Sequence, residues 1–151
     1  MDIEEQYDKI YRFCYFRVGN RVIAEDLTQE TFLRFLNSSY QEQGKGIRYL
    51  YTIARNLCIE ESRKTKLETL PEDVHDEGVE ISRIIDAIMV KEALRKMPED
   101  DREILVMRYM NEESLVDISR ITGLSRFALY RKLKKSRKMF EELMEGDTRD
   151  E

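Results

Sequence analysis

One histidine, two cysteines and no tryptophan leave this 151-residue chain short of the side chains on which metal and nucleophile chemistry depends. Cys14 and Cys58 lack any C-x-x-C spacing, and His75 sits in an acidic stretch, so no zinc site is predicted. Both cysteines lie among apolar neighbours in helical patterns and read as core thiols. The signatures G-x-x-x-x-G-K, H-E-x-x-H and G-x-S-x-G are also missing, so an enzyme is not expected, nor a catalytic residue or a cofactor. Two prolines and six glycines, with good helix formers throughout, predict an all-α fold. No apolar run approaches the ~20 residues that span a bilayer. The opening Met-Asp-Ile-Glu-Glu is no signal peptide. A cytoplasmic protein without membrane insertion is therefore expected.

What is present is charge, 38% of the residues, unevenly placed. The formal net charge of −5 hides two basic blocks, 41–66 and 114–140, separated by an acidic one. Segment 114–140 carries eight basic residues against the single acid Asp117. Residues 67–80 hold six acids, no lysine or arginine and no periodicity, and read as a linker. Such a distribution suggests two DNA-facing surfaces joined by a tether.

The most informative stretch runs from Leu115 to Arg137. Leu115, Ile118 and Ile121 form the apolar face of a short helix whose start can be capped by Ser114 with Asp117. Gly123 can take the positive φ of a tight turn without a Cβ penalty. Ser125 can then cap a second helix with a Leu129 and Leu133 spine, and the small Ser119 permits close helix approach. This is a helix-turn-helix layout, its second helix basic and suited to a major groove. A plain helical hairpin with a solvated basic face is the competing reading. The joint spacing of Ser119, Gly123 and Leu124, the serine cap and the one-signed charge favour nucleic acid.

Upstream, helical spacing predicts a first helix over about Ile3–Val18 with Ile3, Tyr7, Ile10, Tyr11, Cys14 and Val18 inward. Gly19-Asn20 breaks it, and Asn20 caps a second helix to about Leu36. Residues 37–46 are polar and read as a loop. A third helix follows, with Ile47, Leu50, Ile53, Ala54 and Leu57 inward, ending in the basic Arg63 and Lys64. Helical patterning resumes at Ile81, pauses at Met97-Pro98, and restarts at Pro98 with an acidic first turn. Two helical domains are expected, 1–66 and 82–145, joined by linker 67–81 and followed by a frayed tail, 146–151.

Ala24-Glu-Asp-Leu-Thr-Gln-Glu-Thr-Phe-Leu-Arg34 is similar to the conserved region-two signature of bacterial RNA polymerase sigma factors. Tyr49 to Lys64 resembles the following helix of the extracytoplasmic-function (ECF) group. Ala93-Leu-Arg-Lys-Met-Pro98, Arg102 to Tyr109 and the helix-turn-helix look like region four. The resemblance covers both domains in order, and the regions that primary sigma factors add are missing, as in the ECF group.

The resemblance implies an alternative sigma factor that binds core polymerase through the β′ coiled coil and the β flap, and directs it to promoter DNA. Asp26, Gln29 and Glu30, flanked by Leu27 and Phe32, match the surface that docks on the coiled coil. Carboxylates and an amide suit a basic partner, although Leu27 and Phe32 also read as core. The resemblance places Asn56 at a flipped base of the minus-ten element, with Arg48, Arg55, Arg63 and Lys64 along that element near phosphates. Tyr49 either stacks on an unpaired base or covers the core. Toward the minus-thirty-five element the resemblance offers Ser125, Arg126, Tyr130, Arg131 and Lys134, with Lys135 a phosphate clamp or solvated. Phe127 departs from the family pattern and has three readings: a thymine-methyl contact, packing on the preceding helix, or a protein partner. An anti-sigma factor is a common partner in this group. The alternative is a freestanding helix-turn-helix regulator, which would need its own dimer interface and sensor domain; the first half of the chain shows a pattern for neither a ligand pocket nor a phosphoacceptor.

Overall fold

Asp2 begins the first helix, its carboxylate accepting from the backbone of Glu4 and Glu5. The computed structural model describes residues 2–39, 46–64 and 81–149, so the acidic linker and most of the polar loop before the third helix lie outside the described residues. The described residues form seven α-helices in order: α1 (Ile3–Val18), α2 (Arg21–Leu36), α3 (Gly46–Lys64), α4 (Ile81–Lys96), α5 (Glu99–Leu105), α6 (Leu115–Thr122) and α7 (Arg126–Arg149). Among the described residues there is no strand. Gly19 ends α1 in the left-handed region at φ 71°, and Asn20 caps α2 through Ile23 N–H at 3.0 Å. Helix α7 continues to Arg149, into the segment expected as a tail. A glycine inside a helix costs only about 1 kcal/mol and does not by itself stop one, and Gly146 stands in open space.

Helices α1, α2 and α3 pack together around Ile10, Phe13, Cys14, Phe35, Leu50, Tyr51 and Leu57. Phe13 meets the Tyr51 ring edge-on at 5.2 Å. Cys14 and Cys58 are free and buried; the hydrogen bond to Cys14, reinforced by burial, pushes the Cys58 thiol far above its ordinary range. Ile3, expected inward, is exposed because α1 begins beyond the edge of this core, while Gln6 and Phe13 are buried instead.

Helix α2 buries an unusual face. Thr28 and Thr31 are fully buried, each hydroxyl donating to the carbonyl one turn back (Ala24 and Leu27) at 2.6 Å. These internally satisfied threonines pack beside the buried Leu27, Phe32 and Phe35, while the apolar Val22, Leu33 and Leu36 are left outside.

In the second half, α7 packs across α4, α5 and α6. Asp101 at the start of α5 is buried and accepts from the Ser136 hydroxyl on α7 at 2.6 Å. Ser136→Ala strands that carboxylate and should lower stability by about 1–3 kcal/mol in urea titration. An unchanged midpoint would show that Asp101 finds water instead.

Helix α5 runs directly into a π-helical turn over Val106–Met110, ending at Asn111. That turn delivers Asn111 and Glu113 against α1 and α3, so the two halves touch and share one buried apolar cluster. Separation by charge along the sequence is not separation in space. Tyr51, from α3, lies at this junction. Burial and then the charge of Glu113 raise its phenol well above the ordinary value. A raised acid pKa leaves the stabilising neutral form intact below about 10, the unfolded value, and loses it as pH climbs toward the folded value. Tyr51→Phe should therefore flatten the decline of stability as pH rises above about 10; an identical decline would remove Tyr51 as its source.

Candidate nucleic-acid and partner interfaces

The turn between α6 and α7 is built from side chains that satisfy its backbone. Ser114 caps α6 through Asp117 N–H at 3.0 Å. Gly123 ends α6 at φ 77°, its N–H bonding to the Ser119 carbonyl. The Ser119 hydroxyl donates to the Leu124 carbonyl at 2.6 Å, which closes the turn. Ser125 then accepts from Ala128 N–H at 3.1 Å and starts α7. Ile118, Ile121, Leu129 and Leu133 are buried between the two helices. Every feature expected of a helix-turn-helix is in place.

With that spine inward, Arg131, Lys134 and Lys138 are exposed on the opposite side, and Arg126, Tyr130, Lys135 and Arg137 are exposed at its flanks. Ser125 is exposed too. Phe127 is 80% exposed, so it does not pack on the preceding helix. Arg137 lies over the exposed Tyr109 ring at 5.9 Å. The surface is a cationic helix face with aromatic groups interleaved, suited to phosphates and base edges.

The second expected surface divides. Arg48, Asn56, Arg63 and Lys64 are exposed along α3. Tyr49 is partly buried, its ring 6.3 Å from Phe35, which is the core-covering alternative. Arg55 does not share the open face: its Nε donates to Glu103 of α5 at 2.7 Å.

On α2, Asp26 and Gln29 are exposed, and Glu30 pairs with Arg34 at 3.0 Å. Leu27 and Phe32 are buried, Phe32 against Tyr7 with ring centroids 5.6 Å apart. They hold the helix in place, with Asp26 and Gln29 facing out. Sequence reasoning overlooked the exposed Val22, Leu33 and Leu36. With Asp26 and Gln29 they form a stripe at alternating spacings of four and three residues, the repeat that faces a partner helix in coiled-coil packing. That spacing was visible in the sequence, but nothing there marked it as outward-facing.

A groove of about 390 Å³ lies between α4, the π-helical turn and α7, lined chiefly by Val90, Leu94, Leu105, Tyr109, Met110 and Phe140. Among the described residues no group of side chains could hold a metal ion, and no helix is long and apolar enough to cross a membrane.

The sigma-70 region 2 family matches residues 3–68, and the sigma-70 region 4 family matches residues 87–140. The chain is 34% identical over 143 residues to the ECF RNA polymerase sigma factor SigW of Bacillus subtilis, covering 82% of this chain and 76% of that one. It is 30% identical over 138 residues to the ECF RNA polymerase sigma factor BldN of Streptomyces coelicolor, covering 79% of this chain and half of that longer protein. The fold matches the sigma factor RpoE of Bartonella quintana, crystallised with the anti-sigma factor NepR, with a TM-score of 0.71 at 20% identity over 93% of this chain and 92% of that one. With α1–α3 matching region 2, and α4–α7 with their intact helix-turn-helix matching region 4, this chain belongs to the RNA polymerase sigma factors of the ECF group.

Proposed function

We propose that the chain is an alternative sigma factor, without enzymatic activity of its own, that docks on core RNA polymerase in the cytoplasm and directs initiation at a subset of promoters. The proposed working units are 1–66 for docking and the minus-ten element, 67–81 as an acidic linker, and 82–145 for the minus-thirty-five element. The observation that carries this reading is the exposed cationic face of α7 on a fully formed helix-turn-helix, in the same chain as a sigma region-two domain. A freestanding regulator is not favoured, since its first half would have no reason to match region 2.

In this reading the α2 stripe contacts the β′ coiled coil. Asp26, Gln29 and Glu30 supply charge complementarity, and Val22 and Leu33 supply apolar contact at the spacing a helical partner requires. The apolar groove beside Tyr109 and Phe140 fits the β flap. Arg48, Asn56, Arg63 and Lys64 line the minus-ten face of α3, joined by Tyr49 at its edge. Arg126, Tyr130, Arg131, Lys134 and Lys135 read the upstream element from the Ser125-capped helix. An anti-sigma factor is a further partner in this reading, in keeping with the Bartonella sigma factor, which was crystallised with one.

Purified chain mixed with core polymerase should co-migrate with it and support run-off transcription from a subset of promoter fragments. Without polymerase it should bind duplex DNA weakly, because the −5 chain carries acidic segments that compete for its basic faces. Specific footprints by free protein at nanomolar concentration, with no polymerase association, would overturn the reading in favour of the freestanding regulator.

A further inference from the structure

Phe127, at 80% exposure, is the most exposed large apolar side chain among the described residues. It is the second residue of α7, inside the turn that Ser125 caps through Ala128 N–H. With about 100° of rotation per residue, its ring stands about 160° around the helix from the buried Leu129. Arg131, Lys134 and Lys138, all exposed, follow it along that line at steps of four, three and four residues. Phe127 therefore heads the line of α7 that lies opposite the Leu129 and Leu133 spine. From Ser125 to Phe140 the chain carries no acid.

Whatever covers this ring must also receive the exposed Arg126 beside it and Arg131 one turn on. An apolar protein groove would strip both guanidinium groups of water and return no charge. Duplex DNA supplies both needs, with phosphates for the cations and the thymine 5-methyl as an apolar group in the major groove. The recognition helix of a helix-turn-helix contacts base edges with its N-terminal residues. Helical side chains lean toward the N-terminus, which carries the Phe127 ring toward that entering end. We propose that Phe127 determines specificity by packing its ring on the 5-methyl group of a thymine in the upstream promoter element. Arginine and lysine pair with guanine acceptors, so they do not supply this choice. Cytosine at the same position offers no methyl and presents an amino donor to the ring instead. This inference rests on the reading of α7 as the helix that contacts the minus-thirty-five element.

The full chain with core polymerase is used to select from promoter fragments randomised in the upstream element. One library is copied with thymidine and one with deoxyuridine, which keeps every base-pairing hydrogen bond and drops only the methyl. Wild type should enrich thymine at a particular upstream position in the first library and lose that preference in the second. At a selected promoter, deoxyuridine in that position should weaken wild-type binding about fourfold, the worth of one buried methyl group. Phe127→Ala should bind both forms equally, and no better than wild type binds the deoxyuridine form. If circular dichroism shows that this variant loses helix, 5-iododeoxyuridine at that position of the promoter replaces it. Its iodine takes the place of the methyl, and light should crosslink it to Phe127 of the wild-type chain. Wild type that binds both bases equally, or a crosslink to another residue, overturns the contact. Loss of polymerase affinity in Phe127→Ala, with thymine still preferred, overturns it in favour of a protein partner. Should the chain not bind polymerase at all, the sigma reading fails, and the chain alone is taken through both libraries. A thymine preference confined to the first library then upholds the methyl contact, and no preference overturns it.

Discussion

Reversing Asp26 and Glu30 together to lysine should all but abolish association with core polymerase while leaving the protein folded. Asp26 is exposed and Glu30 is half-exposed, its one contact being the surface pair with Arg34. A surface i,i+4 pair is worth only a few tenths of a kcal/mol, so the urea midpoint should shift little. Two charge reversals against a basic coiled coil instead create like-charge contacts that cost several kcal/mol, or at least a hundredfold in affinity. Leu33→Glu should weaken the same association without reversing any charge, because Leu33 is 58% exposed at the apolar end of the stripe and contributes little to the core. Native-gel or fluorescence titration against core polymerase measures both. Undiminished binding by both variants would remove α2 as the docking helix.

Arg131→Ala with Lys134→Ala should remove upstream promoter contact, and Asn56→Ala should impair opening of the minus-ten region, each sparing the other. Arg131 and Lys134 are exposed on the side of α7 opposite the buried Leu129 and Leu133, so truncation costs charge and donors but no core. Each lost base contact should cost about 1–3 kcal/mol, and each lost phosphate contact should reduce the salt slope by about one. Asn56 is exposed on α3, on the other half of the molecule, so its loss should act on strand opening and minus-ten choice alone. Footprinting of the upstream element with permanganate reactivity of the melted strand separates the two effects. Equal loss of both signals in both folded, polymerase-bound variants would show that the surfaces do not act independently.

Most of the helices could be read from local chemistry. Asp2, Asn20, Ser114 and Ser125 cap the helices that follow them, and Gly19 and Gly123 end theirs with positive φ. The Leu129 and Leu133 spine specifies which side of α7 is basic and outward. These are short-range relations, settled by residues within a turn or two, so a linear pattern contains them. The α2 face was harder, because Thr28 and Thr31 are buried with their hydroxyls on carbonyls one turn back while Val22 and Leu33 stay outside. The threonines are admitted beside Leu27, Phe32 and Phe35 by local hydrogen bonding, which hydrophobic periodicity does not register.

The sequence by itself determined the all-helical class, the helix-turn-helix, the helix boundaries near their caps and the side of α7 that carries charge. Tertiary structure alone decided which expected DNA-facing residues stand open and which are engaged. Arg55 and Asn56 are neighbours in the chain, yet one is tied to Glu103 and the other is exposed, since adjacent helical residues point about 100° apart. Likewise, nothing local in Met110-Asn-Glu-Glu113 marks Asn111 as a buried link to Lys9, Arg12 and Tyr51. Its partners lie 60 or more residues away in the chain, and only the packing of α1 and α3 against the π-helical turn brings them within hydrogen-bond reach.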